Sequence, residues 1–144
     1  MISTSLLAGK VQKWSLPVFQ GSPPPAAAEH LKRLCLPQGE LAQFYNAEQG
    51  IRYIAFAELR PDCLRGNHFH RVKEEFVYII SGQVSLVVEE IESKSRASGT
   101  LESGDLVFIP TLIAHVFRPI QAGQAIEFST ARFDPADVVR VQLL

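Results

Sequence analysis

The sequence predicts an all-β sandwich or barrel. Three observations carry this. Ile51, Tyr53, Ala55, Ala57 and Leu59 alternate with Arg52, Ile54, Phe56 and Glu58, the period of two that puts one face of a strand on a core. Several further short apolar runs follow, each bounded by Gly, Pro or Ser. No regular alternation of strands with helices appears, so a doubly wound α/β fold is not expected.

Taken in order, Val11 to Phe19 reads as a strand around Trp14. Gly21-Ser22-Pro23-Pro24-Pro25 interrupts it, because prolines neither donate to a ladder nor continue a helix. Ala26 to Leu34 predicts a short helix, with alanines favouring it and Ala27, Leu31 and Leu34 at helical spacing. Leu36-Pro37-Gln38-Gly39 ends it. After the strand at 51–59, Phe76 to Ile80 is a second strand. Ser81-Gly82-Gln83 reads as a hairpin turn leading into a third, Val84 to Glu90. Glu92 to Thr100 is polar and predicts an exposed connection. Leu106 to Ile109 is a strand stopped by Pro110. His115 to Arg118 and Ala125 to Phe133 are two more, separated by Gln121-Ala122-Gly123-Gln124. Asp134-Pro135 opens a turn or a last short helix. Residues 1–40 are expected as an N-terminal extension packing on a domain that spans 41–144. No internal repeat is evident.

The chain's 144 residues are enough for one domain with a sizeable core. With 47% hydrophobic and 20% charged residues it is globular in composition. A net charge of −1 argues against binding to nucleic acid or to an anionic membrane surface, which call for a basic excess. No apolar run approaches the roughly 20 residues of a membrane span. Leu6-Leu7-Ala8 lacks the flanks of a signal peptide. Two cysteines, Cys35 and Cys63, are too few for a disulfide framework and read as free thiols. A cytoplasmic protein is expected.

Chemistry concentrates in the histidines. His68-Phe69-His70 places two imidazoles on one face of a strand. Side-by-side imidazoles are natural metal ligands, although an isolated His-x-His pair is also an ordinary surface feature. Downstream stand Glu74, Glu75 and Gly82. Gly104, Pro110 and His115 follow. These residues resemble the two motifs of the cupin superfamily. The first runs His-x-His, three or four residues, Glu, six residues, Gly, and is met by His68, His70, Glu75 and Gly82. The second is met by Gly104, Pro110 and His115. Asp62 and Leu112 stand where the motifs have glycine, and Pro119 where the second has asparagine.

The resemblance implies a double-stranded β-helix, the cupin jelly-roll barrel, with His68, His70, Glu75 and His115 holding one divalent transition metal ion (Fe, Mn, Ni, Co, Cu or Zn). Such a set leaves positions open for water, dioxygen or substrate. Glu74 competes with Glu75 by spacing, but only Glu75 keeps the six-residue gap to Gly82. Glu74 is then a solvated charge. His30 lies outside the motifs and reads as a surface residue. Cys63 either lines the site or is a small buried residue.

Arg65-Gly66-Asn67-His68-Phe69-His70 is similar to the first motif of cupins of sugar-nucleotide and capsular-polysaccharide biosynthesis. Phe133-Asp134-Pro135-x-Asp137 is similar to their tails. That resemblance implies metal-assisted epimerisation or isomerisation of a nucleotide-linked keto-sugar. The alternatives are an Fe(II) dioxygenase and a non-enzymatic small-molecule-binding cupin. Arg65, Tyr53 and Tyr78 are candidate substrate contacts, Arg65 through a phosphate or carboxylate. Tyr53, Tyr78, Glu127 and Lys73 are candidates for a general base, and the sequence selects none of them. The expected partners are a small-molecule substrate and a second copy in a homodimer, with the segment around Trp14 at the contact.

Overall fold

The computed structural model describes residues 2–144. Its strands are β1 (Ile2–Leu6), β2 (Val11–Ser15), β3 (Val18–Gln20), β4 (Lys32–Leu36), β5 (Gly39–Gln43), β6 (Tyr53–Leu59), β7 (Arg65–Phe69), β8 (Glu75–Glu90), β9 (Arg96–Glu102), β10 (Asp105–Ile109), β11 (Ile113–Ser129) and β12 (Val139–Arg140). Single 3-10 turns at Pro25–Ala27 and Pro135–Asp137 are the helical elements among the described residues.

Two long strands organise the molecule. β8 and β11 run antiparallel beside each other, from Ile113 opposite Glu90 to Phe128 opposite Phe76. The first part of β8 also pairs with β10, and the second part of β11 with β6. The remaining halves pair with β9 and with β7. Each long strand therefore passes from one layer of a jelly roll to the other. The crossing is tight: a Cβ on Gly123 would lie 1.9 Å from the Ser81 carbonyl oxygen, so only glycine fits there. The register shifts between residues 119 and 125 mark the same bend.

Side chains alternate between the lumen and the two outer faces. Val77, Ile79, Val84, Leu86, Val88, Val107, Ile109 and Phe117 fill the inner core. Phe76, Tyr78, Leu106 and Phe128 face outward from one layer, beneath Phe44, Tyr45 and Leu31. Phe69, Val87, Ala114 and Val116 face outward from the other, beneath Val139, Val141 and Leu143 of the C-terminal segment. On β6 the expected alternation holds, with Ala57 and Leu59 buried and Ile54 and Phe56 more than half exposed.

Five local expectations are corrected. The helix at Ala26–Leu34 is absent; one 3-10 turn is followed by β4, which pairs with β3 and β5 in a separate three-stranded sheet. A helix of that length is marginal without a packed face, and pairing on both sides of β4 outweighs alanine propensity. Ser81-Gly82-Gln83 is no hairpin: β8 continues through it with Gly82 at φ +92°. Likewise β11 continues through 121–124. Much of the polar stretch from Glu92 is strand β9, bonded to the second half of β8. At the N-terminus, the strand read over 11–19 is divided in two near Leu16-Pro17, and β2 joins β10 in the large sheet.

Candidate metal centre and its cavity

His68 projects from β7, His70 lies just beyond its end, Glu75 opens β8 and His115 comes from β11. His115 sits directly opposite His68 across the β7–β11 ladder. Gly66 makes this approach possible. Its φ is +110°, and a Cβ there would lie 2.6 Å from the His115 carbonyl oxygen. Phe69, between the two histidines, points to the outer core, as period two requires.

One ligand atom from each of His68, His70, Glu75 and His115 lies within 4.8 Å of all the others. His70, Glu75 and His115 are buried and His68 is half-buried. The ring nitrogens are oriented from behind. His115 Nδ1 faces the Ile113 carbonyl at 3.1 Å, and His70 Nδ1 faces the Asp137 carbonyl at 3.1 Å. A carbonyl only accepts, so each Nδ1 carries the proton and each Nε2 is left for the cluster. His115 Nε2 lies 2.8 Å from Glu75 Oε2, yet the direction does not make a hydrogen bond between them. Both atoms, and His68 Nδ1, are buried without a hydrogen-bond partner. Orphaned polar atoms are rare in a folded interior, and two of these, His115 Nε2 and Glu75 Oε2, face each other within the cluster. Three imidazole nitrogens and one carboxylate oxygen are a donor set suited to a divalent transition ion, so the residues fit such a metal.

Electrostatics favour the ligand forms. Burial, then the neighbouring His115, pushes His68 down to about 4. His70 is also lowered, by burial first and then by Lys73 and His115 against the pull of Glu75. Burial works to raise the Glu75 carboxyl, but His115 and Lys73 outweigh it and hold it below its ordinary range. The Lys73 ammonium, itself only 3% exposed, lies 3.5 Å from Glu75 Oε1. It also sits 4.9 Å from the centre of the Tyr53 ring.

The cluster opens into a cavity of about 280 Å³. Its wall includes Glu127 and the apolar Val77, Ile79 and Phe117, and exposed Arg65 and Arg140 stand at its edge. Tyr53 donates from its hydroxyl to Glu127 Oε1 at 3.0 Å and stacks on Phe133. Burial and the negative Glu75 raise the Glu127 carboxyl. Burial and Glu127 push the Tyr53 hydroxyl up to about 12.

The other candidates fall elsewhere. Tyr78 is not at the cavity; it is buried on the outer face, its ring stacked on Phe44 at 4.2 Å. It is three residues from inward-facing Glu75, an odd separation on a strand, and that parity was available in the sequence. Glu74 is not a free solvated charge. It accepts from the Ser129 hydroxyl at 3.1 Å, the Thr130 amide at 2.8 Å and the Thr130 hydroxyl. Those bonds lower its carboxyl against the opposing effect of burial. Cys63 is exposed and outside the cavity wall, so it neither lines the site nor is buried. His30 is exposed. Arg140 and Asp137 belong to the site and were not singled out for it by the sequence. Arg140 carries no spacing signal, and Asp137 enters the sequence reading only through the tail Phe133-Asp134-Pro135-x-Asp137, which assigns it no role at the site.

The family model described as Cupin matches residues 44–140. The chain is a cupin. The two non-glycine residues at glycine positions of the cupin motifs behave accordingly, Asp62 and Leu112 both having φ of +63°. No curated protein matches the chain. Among solved structures, the rmlC epimerase of Mycobacterium tuberculosis superposes with a TM-score of 0.72 at 16% identity, covering 96% of this cupin and 72% of that chain. The Legionella pneumophila dTDP-6-deoxy-D-glucose-3,5-epimerase RmlC, in complex with dTDP-4-keto-L-rhamnose, gives 0.75 at 15% identity, covering 99% and 78%. The TDP-quinovose 3,4-ketoisomerase WlaRB of Campylobacter jejuni gives 0.67 at 15% identity, covering 78% and 89%. At these identities the likeness is one of fold. No helix among the described residues is long and apolar enough to cross a membrane.

Proposed function

We propose that this cupin is a metal-dependent isomerase or epimerase acting on a keto-sugar carried by a nucleotide. The observation that carries the reading is the convergence of His68, His70, Glu75 and His115, with orphaned donor atoms, on a cavity that also holds a carboxyl of raised pKa, Glu127. The activities of the structural neighbours, sugar-nucleotide epimerases and ketoisomerases, support the substrate class.

His68, His70, Glu75 and His115 would hold the metal. A bound divalent ion supplies a Lewis acid that polarises a carbonyl oxygen. The cavity lies near the lower limit of about 300 Å³ for ligand pockets, which suits one sugar ring better than a whole nucleotide. The nucleotide would then lie outside, where Arg65 and Arg140 offer planar guanidiniums to phosphate oxygens. Glu127 takes the proton from the carbon beside the carbonyl. Its raised pKa brings it toward the range in which proton transfer near neutral pH is efficient. The C–H electron pair moves into the carbonyl. Return of a proton to the same carbon completes epimerisation. Return to the former carbonyl carbon completes ketone migration, the proton of the neighbouring carbon's hydroxyl passing to the former carbonyl oxygen so that the carbonyl forms one carbon along. Tyr53 stays protonated and holds the Glu127 carboxylate by its hydrogen bond.

The test joins elemental analysis with exchange. Wild type and His70→Ala, both purified without chelator, are analysed for metal. Each is then incubated in D2O with a dTDP-4-keto-6-deoxy sugar and followed by proton NMR. Near-stoichiometric metal and deuterium uptake beside the carbonyl, both lost in His70→Ala, are expected. A metal-loaded wild type that exchanges no proton would overturn the isomerase reading. Oxygen consumption by the iron form would then favour a dioxygenase, and a ligand-induced melting shift without turnover a binding module.

A further inference from the structure

The segment after β11 does more than cover the outer core. Asp137, in the last 3-10 turn, aims its carboxylate into the loop between His70 and Glu75. Oδ1 accepts from the Arg71 amide at 2.8 Å and the Val72 amide at 3.1 Å. Oδ2 accepts from the Val72 amide at 3.2 Å and the Lys73 amide at 3.0 Å. Three consecutive N–H groups converging on one carboxylate form a nest, a geometry in which the anion dictates the backbone. The same residue turns its main-chain carbonyl to His70 Nδ1 at 3.1 Å.

One residue thus acts on two things at once: the path of the loop that delivers Lys73 and Glu75, and the proton position on His70. Asn67 fastens the same segment further on. Its backbone oxygen accepts from the Val141 amide at 2.9 Å, and its side-chain oxygen from the Leu143 amide at 3.0 Å. Asn67 has φ of +56°, a left-handed conformation that asparagine tolerates better than most residues. This gives a physical role to the asparagine of Arg65-Gly66-Asn67-His68, which the metal cluster leaves unexplained.

We propose that Asp137 is a positioning residue for the metal centre. Held in the 71–73 nest, it sets the Nδ1–H tautomer of His70 through its carbonyl and leaves Nε2 directed at the cluster. The proposal rests on the metal reading above for its effect on affinity, but not for its effect on the tautomer. Partners of this kind behind metal-bound histidines typically matter by 10–100-fold in affinity.

The experiment uses the full chain as wild type, Asp137→Ala and Asp137→Asn. Long-range proton–nitrogen correlation on the metal-free protein reads the tautomer of His70. Zn(II) titration then reads affinity, and thermal melting reads folding. The wild type should show a single Nδ1–H tautomer at His70. Both variants should show a mixed or inverted tautomer, with Zn(II) affinity weaker by about 10–100-fold. If Asp137→Ala does not fold, Asp137→Asn decides, since it keeps the size of the side chain and removes its second acceptor oxygen. A wild-type tautomer in the folded variant, with a dissociation constant within about twofold, would overturn the proposal even if the melting temperature fell. If wild type binds no Zn(II), the metal reading is lost, and the His70 tautomer alone decides.

Discussion

Lys73 offers the sharpest test of how the site is balanced. Its ammonium and the Glu75 carboxylate are both nearly excluded from solvent, at 3% and 4% exposure. At 3.5 Å, and with an effective dielectric near 20, their attraction is about 5 kcal/mol. Replacing Lys73 with Met keeps the stem and removes the charge. Glu75 then remains buried near the Glu127 carboxyl without its ammonium. Breaking a buried pair in this way costs about 3–5 kcal/mol. For a domain of this size that lowers the melting temperature by roughly 10–15 °C. The metal-bound protein should behave differently, because a dication replaces the missing positive charge and no longer meets an opposing ammonium. The Zn(II)-induced rise in melting temperature should therefore be larger in Lys73→Met than in wild type. The assay is urea and thermal unfolding of both proteins, after chelation and again with excess Zn(II). A chelated Lys73→Met within about 1 kcal/mol of wild type would refute the reasoning, since Lys73 would then not be the counter-charge that stabilises Glu75.

Two further outcomes are expected. The metal-free protein should lose stability as pH falls from about 6.5 toward 4: the folded state depresses His68 to about 4 by burial, so the unfolded chain takes up its proton first. Glu75, also depressed, extends the loss below the ordinary carboxylate range. A urea midpoint constant from pH 7 to pH 4 would show that His68 is not perturbed as described. On the proposed substrate, Glu127→Gln should lower kcat by about 10²–10⁴-fold with its metal content intact, and Tyr53→Phe by less. A kcat within threefold of wild type would remove Glu127 as the base.

The sequence by itself determined the all-β class and the four residues of the cluster. The first is a short-range property, and so is the grouping of three members of the cluster; His115 lies far along the chain on β11 and was named by the motif resemblance. Alternation along 51–59 is written residue by residue, and His68, His70 and Glu75 are brought together by one strand and one short loop. Even the parity that turns Tyr78 away from Glu75 could be counted. What only the tertiary structure decided depends on strands that meet from distant parts of the chain. Gly82 and the segment 121–124 look like turns locally, but the ladder between β8 and β11 continues past both and bends there. The alanine-rich stretch before Lys32 favours helix in isolation, yet pairing with β3 and β5 makes the following residues a strand. Glu127 and Arg140 came to line the cavity, and Asp137 to hold the loop at 71–73, only when β11 and the C-terminal segment met β7 and β8. Local preferences of a few tenths of a kcal/mol per residue yield to such pairing, because each ladder satisfies several backbone groups and buries a whole face at once.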